Sequence, residues 1–343
     1  MIEPPCGSLP RELEPETVLM TKPVLLSTGF MMPLMVEQLE AAFECHWMER
    51  VADKQKLIDE VGPRVVAGCT GSHTGIFMGK DMLAKLPNLK VIGNFGVGYD
   101  TIDIPEAARR GVIITNTPDV LNEEVADTAL GLLIMTVREL SKAEAYMRAG
   151  EWAANGDYPL TAASLRTRKV GLVGYGRIGK SIGRRLDAFG IPYVYFGRKP
   201  QAGVPQRFYD NLVEMARDVN TLLLILPGGP ATQNLVNMEV LKTLGPDGIV
   251  INMARGSVVD EKALMQALRD RVILSAGLDV YVNEPKVDPA WLTTPHLTLL
   301  PHVGSASQHT RNAMGQLTVD NLLTFKAGKP PLTPVPETPF KGW

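Results

Sequence analysis

The sequence predicts an α/β protein built on parallel sheets, and three observations support this fold class. Short apolar runs alternate with stretches of helical periodicity along most of the chain, a pattern typical of βαβ units. The alternation occurs in two series, separated by one long helical stretch at 122–149. The length of 343 residues suits two domains of ordinary size. We therefore expect two doubly wound parallel-sheet domains.

The first series begins after a proline-rich leader, residues 1–22, which has no apolar segment of the secretory type and is expected to be disordered. A helix is predicted around 32–43 from its apolar periodicity. Four short apolar runs are predicted to be strands, at 24–27, 65–68, 89–93 and 112–115.

The long helical stretch at 122–149 has the features of a single helix. Asn122 is a suitable N-cap, and Glu123 and Glu124 would lie near the positive end of the helix dipole. Gly150 is a suitable stop.

The second series contains more strands than the first and ends in a helix. That helix is predicted near 307–327, and the proline-rich tail from Lys329 is expected to be extended. The six predicted strands are 169–173, 192–196, 221–226, 248–252, 272–278 and 297–300.

Composition excludes several classes of function. The net charge of −2 gives no electrostatic reason to expect nucleic-acid binding. No apolar run reaches the roughly 20 residues that span a membrane. The three cysteines, Cys6, Cys45 and Cys69, are far apart and lack metal-ligand spacing. They favour a reducing compartment, so we expect a cytoplasmic protein with no metal site.

A glycine-rich turn joins the strand at 169–173 to a helix. Gly174 permits a tight turn, Gly176 lets a pyrophosphate approach the backbone, and Gly179 lets helix and strand pack closely. The helix N-terminus, with Arg177 and Ile178, would then hold the phosphates. This turn predicts a dinucleotide-binding domain of the Rossmann type.

The end of the next strand indicates which dinucleotide binds. An NAD site usually has an acidic residue there to hold the ribose hydroxyls. Here Gly197, Arg198 and Lys199 follow the strand, and no acid is present. Two cations and a small residue suit a 2′-phosphate, so the sequence predicts NADP(H).

Three polar residues follow strands late in the second series: Arg255, Glu284 and His302. An arginine can hold the carboxylate and carbonyl of a 2-keto acid, and a histidine can protonate the developing alkoxide. Glu284 would hold the histidine ring in its charged form. Each residue alone also has an ordinary structural interpretation, but their combination predicts catalysis. Asp279 is expected on the nicotinamide side.

At these residues the sequence resembles the D-isomer-specific 2-hydroxyacid dehydrogenases, over about 22–327. Within that family it is most similar to glyoxylate/hydroxypyruvate reductases and hydroxyphenylpyruvate reductases, by segments 94–100 and 196–198. The family motifs are at 173–179, 252–261, 278–285 and 301–304.

The resemblance implies a nucleotide domain, 118–303, inserted into a flavodoxin-like substrate domain, 23–117 plus 304–343. It assigns the catalytic triad to Arg255, Glu284 and His302. It also implies a substrate cleft in which backbone N–H groups hold a carboxylate. The residues that match the family's substrate site are Gly71, Ser72, Val97 and Gly98, with His73 at the rim.

Further cofactor contacts follow from the same resemblance. Segment 226–230 departs from the more polar family turn, because it contains a doubled glycine. The side chains of this segment match those of the family less well than the other motifs do. The implied cofactor residues are Leu226, Pro227, Thr232, Met253, Ala254, Asp279 and Gly304.

The resemblance also implies a homodimer, in which Trp152 either touches the partner's substrate or is a plain interface residue. The expected activity is NADPH-dependent reduction of glyoxylate or hydroxypyruvate to a D-2-hydroxy acid. Hydroxyphenylpyruvate reduction is the alternative. A further, remote alternative is a dinucleotide-sensing regulator similar to a corepressor.

Overall fold

The computed structural model describes residues 22–71 and 76–342, which form two parallel sheets. Ser72, His73 and residues 1–21 of the predicted leader lie outside these ranges. Every strand pairing within the two sheets is parallel. The predicted fold class, α/β with two parallel-sheet domains, is therefore confirmed.

The first sheet has five strands in the order β2-β1-β3-β4-β5. Four of them were predicted, but β2 was not, because this edge strand contains two polar residues and is only half-buried. Buried strands in parallel sheets have the more continuous apolar runs that reveal them in sequence. The strands are β1 (Val24–Ser27), β2 (Glu44–Trp47), β3 (Val65–Gly71), β4 (Val91–Phe95) and β5 (Ile113–Thr115).

Short helices connect these strands. Asp53 and Asp103 cap two of them, each accepting a hydrogen bond from a backbone N–H three residues later. The helices are α1 (Pro33–Ala42), α2 (Lys54–Val61), α3 (Lys80–Ala84) and α4 (Ile104–Arg109).

The stretch predicted as one helix at 122–149 is two helices, α5 (Asn122–Val137) and α6 (Leu140–Arg148). Glu139 breaks it with a φ of 50°, and its carboxylate accepts a hydrogen bond from the Tyr158 hydroxyl at 3.0 Å. No glycine or proline marks this break. The predicted N-cap was also wrong, since the cap is Leu121 and Asn122 already lies in the helix. Gly150 does end α6, with a φ of 76°.

The second sheet has seven strands in the order β12-β11-β10-β9-β6-β7-β8. The six predicted strands are present, somewhat shorter, and the two-residue β8 is additional. The order reverses beside β6, so a crevice opens at the carboxyl end of that strand, where such sheets bind ligands. The strands are β6 (Val170–Val173), β7 (Tyr193–Phe196), β8 (Phe208–Tyr209), β9 (Thr221–Leu224), β10 (Ile249–Asn252), β11 (Ser275–Leu278) and β12 (Leu297–Leu299).

Helices accompany this sheet, and the last helix of the chain returns to the first sheet. Helix α5 packs against α8 and β11, whereas α12 packs against β4 and α1. The Ser307 hydroxyl caps α12. The remaining helices are α7 (Glu151–Asn155), α8 (Arg177–Ala188), α9 (Leu212–Asp218), α10 (Met238–Leu244), α11 (Glu261–Arg269) and α12 (Gln308–Lys326).

The proline-rich tail after α12 lies along the edge of the first sheet. Pro334 forms an antiparallel bridge with Thr115, and Val335 is buried. The exact domain division, 23–117 plus 304–343 and 118–303, stays a prediction. Among the described residues, no helix combines the length and apolarity that a membrane crossing requires.

Candidate active site

The glycine-rich turn between β6 and α8 has the geometry that its sequence predicts. Gly174 has a φ of 105°, and a Cβ at Gly179 would lie 2.5 Å from the Gly174 carbonyl oxygen. A Cβ at Gly176 would instead meet no atom within 4 Å. Two glycines thus satisfy packing, and the third faces open space at the start of α8, where N–H groups attract phosphate.

The residues after this turn and after β7 also suit a nucleotide. Ile178 is half-buried, and Arg177 pairs with Asp119 at 3.0 Å between Nε and Oδ1. A Cβ at Gly197 would again meet open space. Arg198 and Lys199 beside it are exposed, and neither forms an ion pair with another residue of the described ranges. The residues present therefore fit a dinucleotide with a 2′-phosphate.

Gln201 connects these two parts of the nucleotide site, and sequence reasoning missed it. Its side-chain amide donates to the Tyr175 carbonyl at 2.7 Å, and its backbone N–H donates to the Tyr195 hydroxyl at 2.9 Å. The rings of Tyr175 and Tyr195 stack with centroids 4.7 Å apart. The glycine-rich turn and the cationic loop are thus held as one unit. A glutamine in a polar loop gives no sequence signal for such a role.

His302 and Glu284, predicted as a pair from residue chemistry, are in contact. His302 Nδ1 lies 2.5 Å from Glu284 Oε2. Glu284 Oε1 accepts a hydrogen bond from the Tyr281 N–H at 2.7 Å, which orients the carboxylate. His302 itself has a φ of 54°, a left-handed conformation that is uncommon for a non-glycine residue. Both side chains are largely buried, at 20% and 16% exposed, so solvent screens their attraction weakly.

Asp279 holds the backbone next to His302. Its Oδ1 accepts from the Val303 N–H at 2.7 Å, and its Oδ2 accepts from the Gly304 N–H at 2.9 Å. Burial raises the pKa of Asp279, and the two N–H donors oppose that rise. A Cβ at Gly304 would lie 3.1 Å from Oδ2, so a glycine suits this position. The expected orientation of Asp279 toward the nicotinamide stays a prediction.

Arg255 reaches from the second sheet to the loop after β4 of the first. Its Nε lies 3.1 Å from Asp100 Oδ1, and its Nη1 donates to the Ala254 carbonyl at 2.7 Å. The guanidinium passes so close to Gly98 that a Cβ there would lie 1.8 Å from Nη2. Sequence reasoning missed Asp100. The one available signal was its place two residues after Gly98.

Of the expected substrate residues of the first sheet, those within the described ranges lie at the carboxyl ends of its strands. Gly71 is the buried last residue of β3. Val97 and Gly98 follow β4, and their carbonyl oxygens accept from the side-chain amides of Asn116 at 3.0 Å and Asn94 at 2.9 Å. With Arg255 beside Gly98, the structure brings the predicted carboxylate loop and the predicted arginine together.

The unusual segment 226–230 supports Arg255. A Cβ at Gly228 would lie 2.9 Å from Arg255 Cγ, and the Thr232 hydroxyl donates to the Pro227 carbonyl at 2.9 Å. Leu226 is half-buried and Pro227 is exposed, whereas Met253 and Ala254 are buried. Gly228 therefore gives Arg255 room. The cofactor roles of these residues stay predictions.

Trp152 is not hydrogen-bonded to any member of this group within the described ranges. It lies on α7, is 57% exposed, and its indole N–H donates to Asp157 at 3.2 Å. Among the same residues, no cluster of three histidine, cysteine or acidic side chains is arranged to hold a metal ion.

Comparison with known proteins identifies the family. The model of the D-isomer specific 2-hydroxyacid dehydrogenase NAD binding domain matches residues 130–304. A 2-ketogluconate reductase from Gluconobacter oxydans is 37% identical over 92% of this chain and 99% of its own length. A hydroxyphenylpyruvate reductase from Plectranthus scutellarioides is 39% identical over 74% of this chain and 81% of its own length.

A solved structure is similar over nearly the whole chain. It is an NADPH-dependent glyoxylate/hydroxypyruvate reductase from Sinorhizobium meliloti, in complex with NADP and malonate. The two chains are 46% identical with a TM-score of 0.88, and the match covers 93% of this chain and 98% of the other.

Proposed function

The chain belongs to the D-isomer-specific 2-hydroxyacid dehydrogenase family, and from that premise we propose that it reduces glyoxylate and hydroxypyruvate with NADPH. The products would be D-2-hydroxy acids. The observation that carries this proposal is the contact of His302 with Glu284, together with the position of Arg255 beside Gly98. A proton donor and a cation suited to a carboxylate then both follow strands of the second sheet, and the cation reaches the loop after β4 of the first.

His302 acts as the general acid. Its Nδ1 is hydrogen-bonded to Glu284, which fixes the orientation of the ring, so Nε2 is the atom assigned to protonate the ketone oxygen. The Tyr281 N–H holds Glu284 in turn. Proton donation by a positioned histidine typically contributes about 10²–10⁴ in rate.

Arg255 and the loop after β4 bind the substrate carboxylate. Arg255 presents a guanidinium beside the backbone of Gly98, and Asp100 restrains it through Nε. The N–H groups of Val97 and Gly98 complete the anion site. A carboxylate bound between them orients the neighbouring ketone carbon.

NADPH would be held by the turn at 174–179 and by the cations Arg198 and Lys199. When bound, it supplies the hydride that the C2 carbon receives. The NADP(H) prediction is supported by the relative that binds NADP and by the space beside Gly176 and Gly197. Asp279 and Gln201 keep the surrounding loops in place.

The assay of this proposal follows NADPH absorbance in the presence of glyoxylate, hydroxypyruvate, 4-hydroxyphenylpyruvate or 2-ketogluconate, and is repeated with NADH. We expect the fastest NADPH-dependent turnover with the first two acids. Faster turnover of 4-hydroxyphenylpyruvate or 2-ketogluconate would favour the activity of the corresponding relative. Folded protein that binds NADPH and reduces none of these acids would contradict the proposal and favour a sensing role.

We also propose a homodimer, supported by an exposed apolar surface on and after α6. Its members are Leu140, Met147, Trp152 and Leu160, which are 44%, 58%, 57% and 100% exposed. Exposed large apolar side chains are typical of subunit interfaces. A molar mass of one chain by light scattering would contradict this. The cytoplasm remains the proposed compartment, and it suits the free thiols of Cys45 and Cys69.

A further inference from the structure

The carbonyl oxygens of residues 96–98 are all bonded to protein groups. The Asn94 side-chain amide donates to Gly96 and Gly98, both at 2.9 Å. The Asn116 side-chain amide donates to Val97 at 3.0 Å. A third donor, the backbone N–H of Thr117, also reaches the Gly96 carbonyl at 3.0 Å.

These contacts determine where the neighbouring N–H groups point. A trans peptide unit is planar, and its C=O and N–H bonds point in opposite directions. The carbonyls of Gly96 and Val97 belong to the same peptide units as the N–H groups of Val97 and Gly98. Holding those two oxygens against Asn94 and Asn116 therefore turns the two N–H groups to the opposite side.

Asn116 is held in turn by the C-terminal tail. The Thr333 hydroxyl donates to the Asn116 carbonyl at 2.6 Å, and the Asn116 N–H donates to the Thr333 carbonyl at 3.3 Å. Thr333 is anchored to the fully buried Asn321 of α12, which accepts from its N–H and donates to its hydroxyl, both at 2.9 Å. A continuous set of hydrogen bonds thus joins α12 to Val97 through residues of the tail and of β5's end.

Three further hydrogen bonds hold the tail to the same region. The Val335 N–H donates to the Ile114 carbonyl at 2.8 Å, and the Ile114 N–H donates to the Thr338 hydroxyl at 2.9 Å. The hydroxyl of Tyr99, the residue that follows Gly98 in the sequence, donates to the Glu337 carboxylate at 3.3 Å. The tail therefore extends the first sheet at the edge strand β5.

We propose that Asn94, Asn116 and Thr333 are positioning residues of the substrate site, and that the C-terminal tail is one of its structural parts. They orient the N–H groups of Val97 and Gly98 so that both point at one carboxylate. The assignment rests on the proposed function, because it takes these N–H groups as the carboxylate donors. We assign none of the three residues a contact with the substrate.

The test compares Asn116→Ala with the wild-type enzyme by three readouts. We expect the KM for glyoxylate to rise about tenfold, the effect of losing one well-placed hydrogen bond and some loop order. The affinity for NADPH, measured by its fluorescence, should be unchanged. Amide hydrogen exchange in the peptide that contains residues 96–100 should become faster.

Asn88→Asp is the matched control, since Asn88 also donates to a backbone carbonyl, that of Pro63, but in an exposed loop outside this group. Its KM should stay at the wild-type value. If Asn116→Ala does not fold, Thr333→Val tests the same set of contacts more mildly. Thr333→Ser, which keeps the hydroxyl, should restore the wild-type KM.

A folded Asn116→Ala or Thr333→Val enzyme with unchanged KM and unchanged exchange at 96–100 would overturn the inference. The proposed function fails separately, if wild-type protein reduces no keto acid. In that case hydrogen exchange alone decides whether Asn116 orders the loop. Faster exchange in Asn116→Ala would show that Asn116 orders residues 96–98, and unchanged exchange would show that it does not.

Discussion

The loop after β6 and the loop after β4 are both predicted to bind anions, but they are held in opposite ways. After β6, the backbone is shaped by glycines within six residues of one another, and Gly179 packs directly on Gly174. After β4, the backbone is shaped by amide side chains, one of which belongs to β5's end and is fastened to Thr333. The first loop is built locally and the second from distant parts of the chain.

This difference also divides the proposed reaction. The second sheet provides the nucleotide turn, His302, Glu284 and Arg255, whereas the first provides the carboxylate loop. Apart from Arg255, which is assigned to the carboxylate, changes at the edge of the second sheet should therefore alter kcat or cofactor affinity. Changes around the loop after β4 should mainly alter the KM for the keto acid. Local motifs thus predict the chemistry, whereas long-range contacts orient the loop that we propose holds the substrate.

The largest expected effect sharpens this division. His302→Ala should lower kcat by about 10²–10⁴, because the general acid is lost. NADPH affinity and the KM for glyoxylate should change little. His309→Ala, a change of an exposed histidine in the same region, is the control. A loss that fell on KM alone would remove the division of roles between the sheets.

A comparison of two glycine variants tests whether different glycines of the loop after β6 serve cofactor binding and packing. Gly176→Ala should weaken NADPH binding about a hundredfold with an unchanged melting temperature, because its Cβ meets no protein atom but fills the space expected for pyrophosphate. Gly179→Ala should lower stability by about 1–3 kcal/mol, because its Cβ would clash with the Gly174 carbonyl. Calorimetric unfolding measures the stability of each variant, and fluorescence titration measures its affinity for NADPH. Equal behaviour of the two variants would contradict the separation.

A smaller effect concerns the choice of cofactor. Arg198→Ala should reduce the ratio of kcat/KM for NADPH over NADH about tenfold, since one charge-assisted contact to the 2′-phosphate is lost. The rate with NADH should be nearly unchanged. Arg166→Ala removes another exposed arginine and is expected to leave the ratio as it is. If Arg198→Ala slowed both cofactors equally, the arginine would not recognise the 2′-phosphate.

The smallest expected effect concerns two carboxylates that are held by arginines, Glu106 of α4 and Glu123 of α5. Arg109 and Arg110 hold the pKa of Glu106 at about 2, and Arg185 does the same for Glu123, also to about 2. Glu106 is 8% exposed and Glu123 is 61% exposed, so solvent screens the second more. We expect Glu106→Gln to lower the melting temperature at pH 7 more than Glu123→Gln.

The pH dependence of that effect follows from the direction of the pKa shift. A lowered folded-state pKa stabilises the protein above the unfolded value, near pH ~4, and the contribution is lost as the pH falls toward about 2. The difference between wild type and Glu106→Gln should therefore shrink over this range. A difference that stayed constant would show that the carboxylate charge is not what stabilises the fold.

Sequence patterns predicted the elements that depend on neighbouring residues. The turn at 174–179, the buried strands and the end of α6 at Gly150 are all present. The failures depend on distant partners. The break at Glu139 is accompanied by a contact from Tyr158, and the half-buried β2 pairs with β1 only in the assembled sheet. Neither leaves a periodic trace in its own segment.

By itself, the sequence determined the fold class, the glycine-rich turn and the residue types that carry the chemistry, because each is encoded in local spacing and in intrinsic acidity. Only the tertiary structure decided that Asp100 restrains Arg255 and that Thr333 supports Asn116. Both pairs lie far apart along the chain. Thr333 reaches Asn116 because α12 and the tail return to the first sheet, and Asp100 meets Arg255 where the loop after β4 approaches the second sheet. Contacts between segments that are distant in sequence depend on the packing of the whole chain, and no local pattern specifies them.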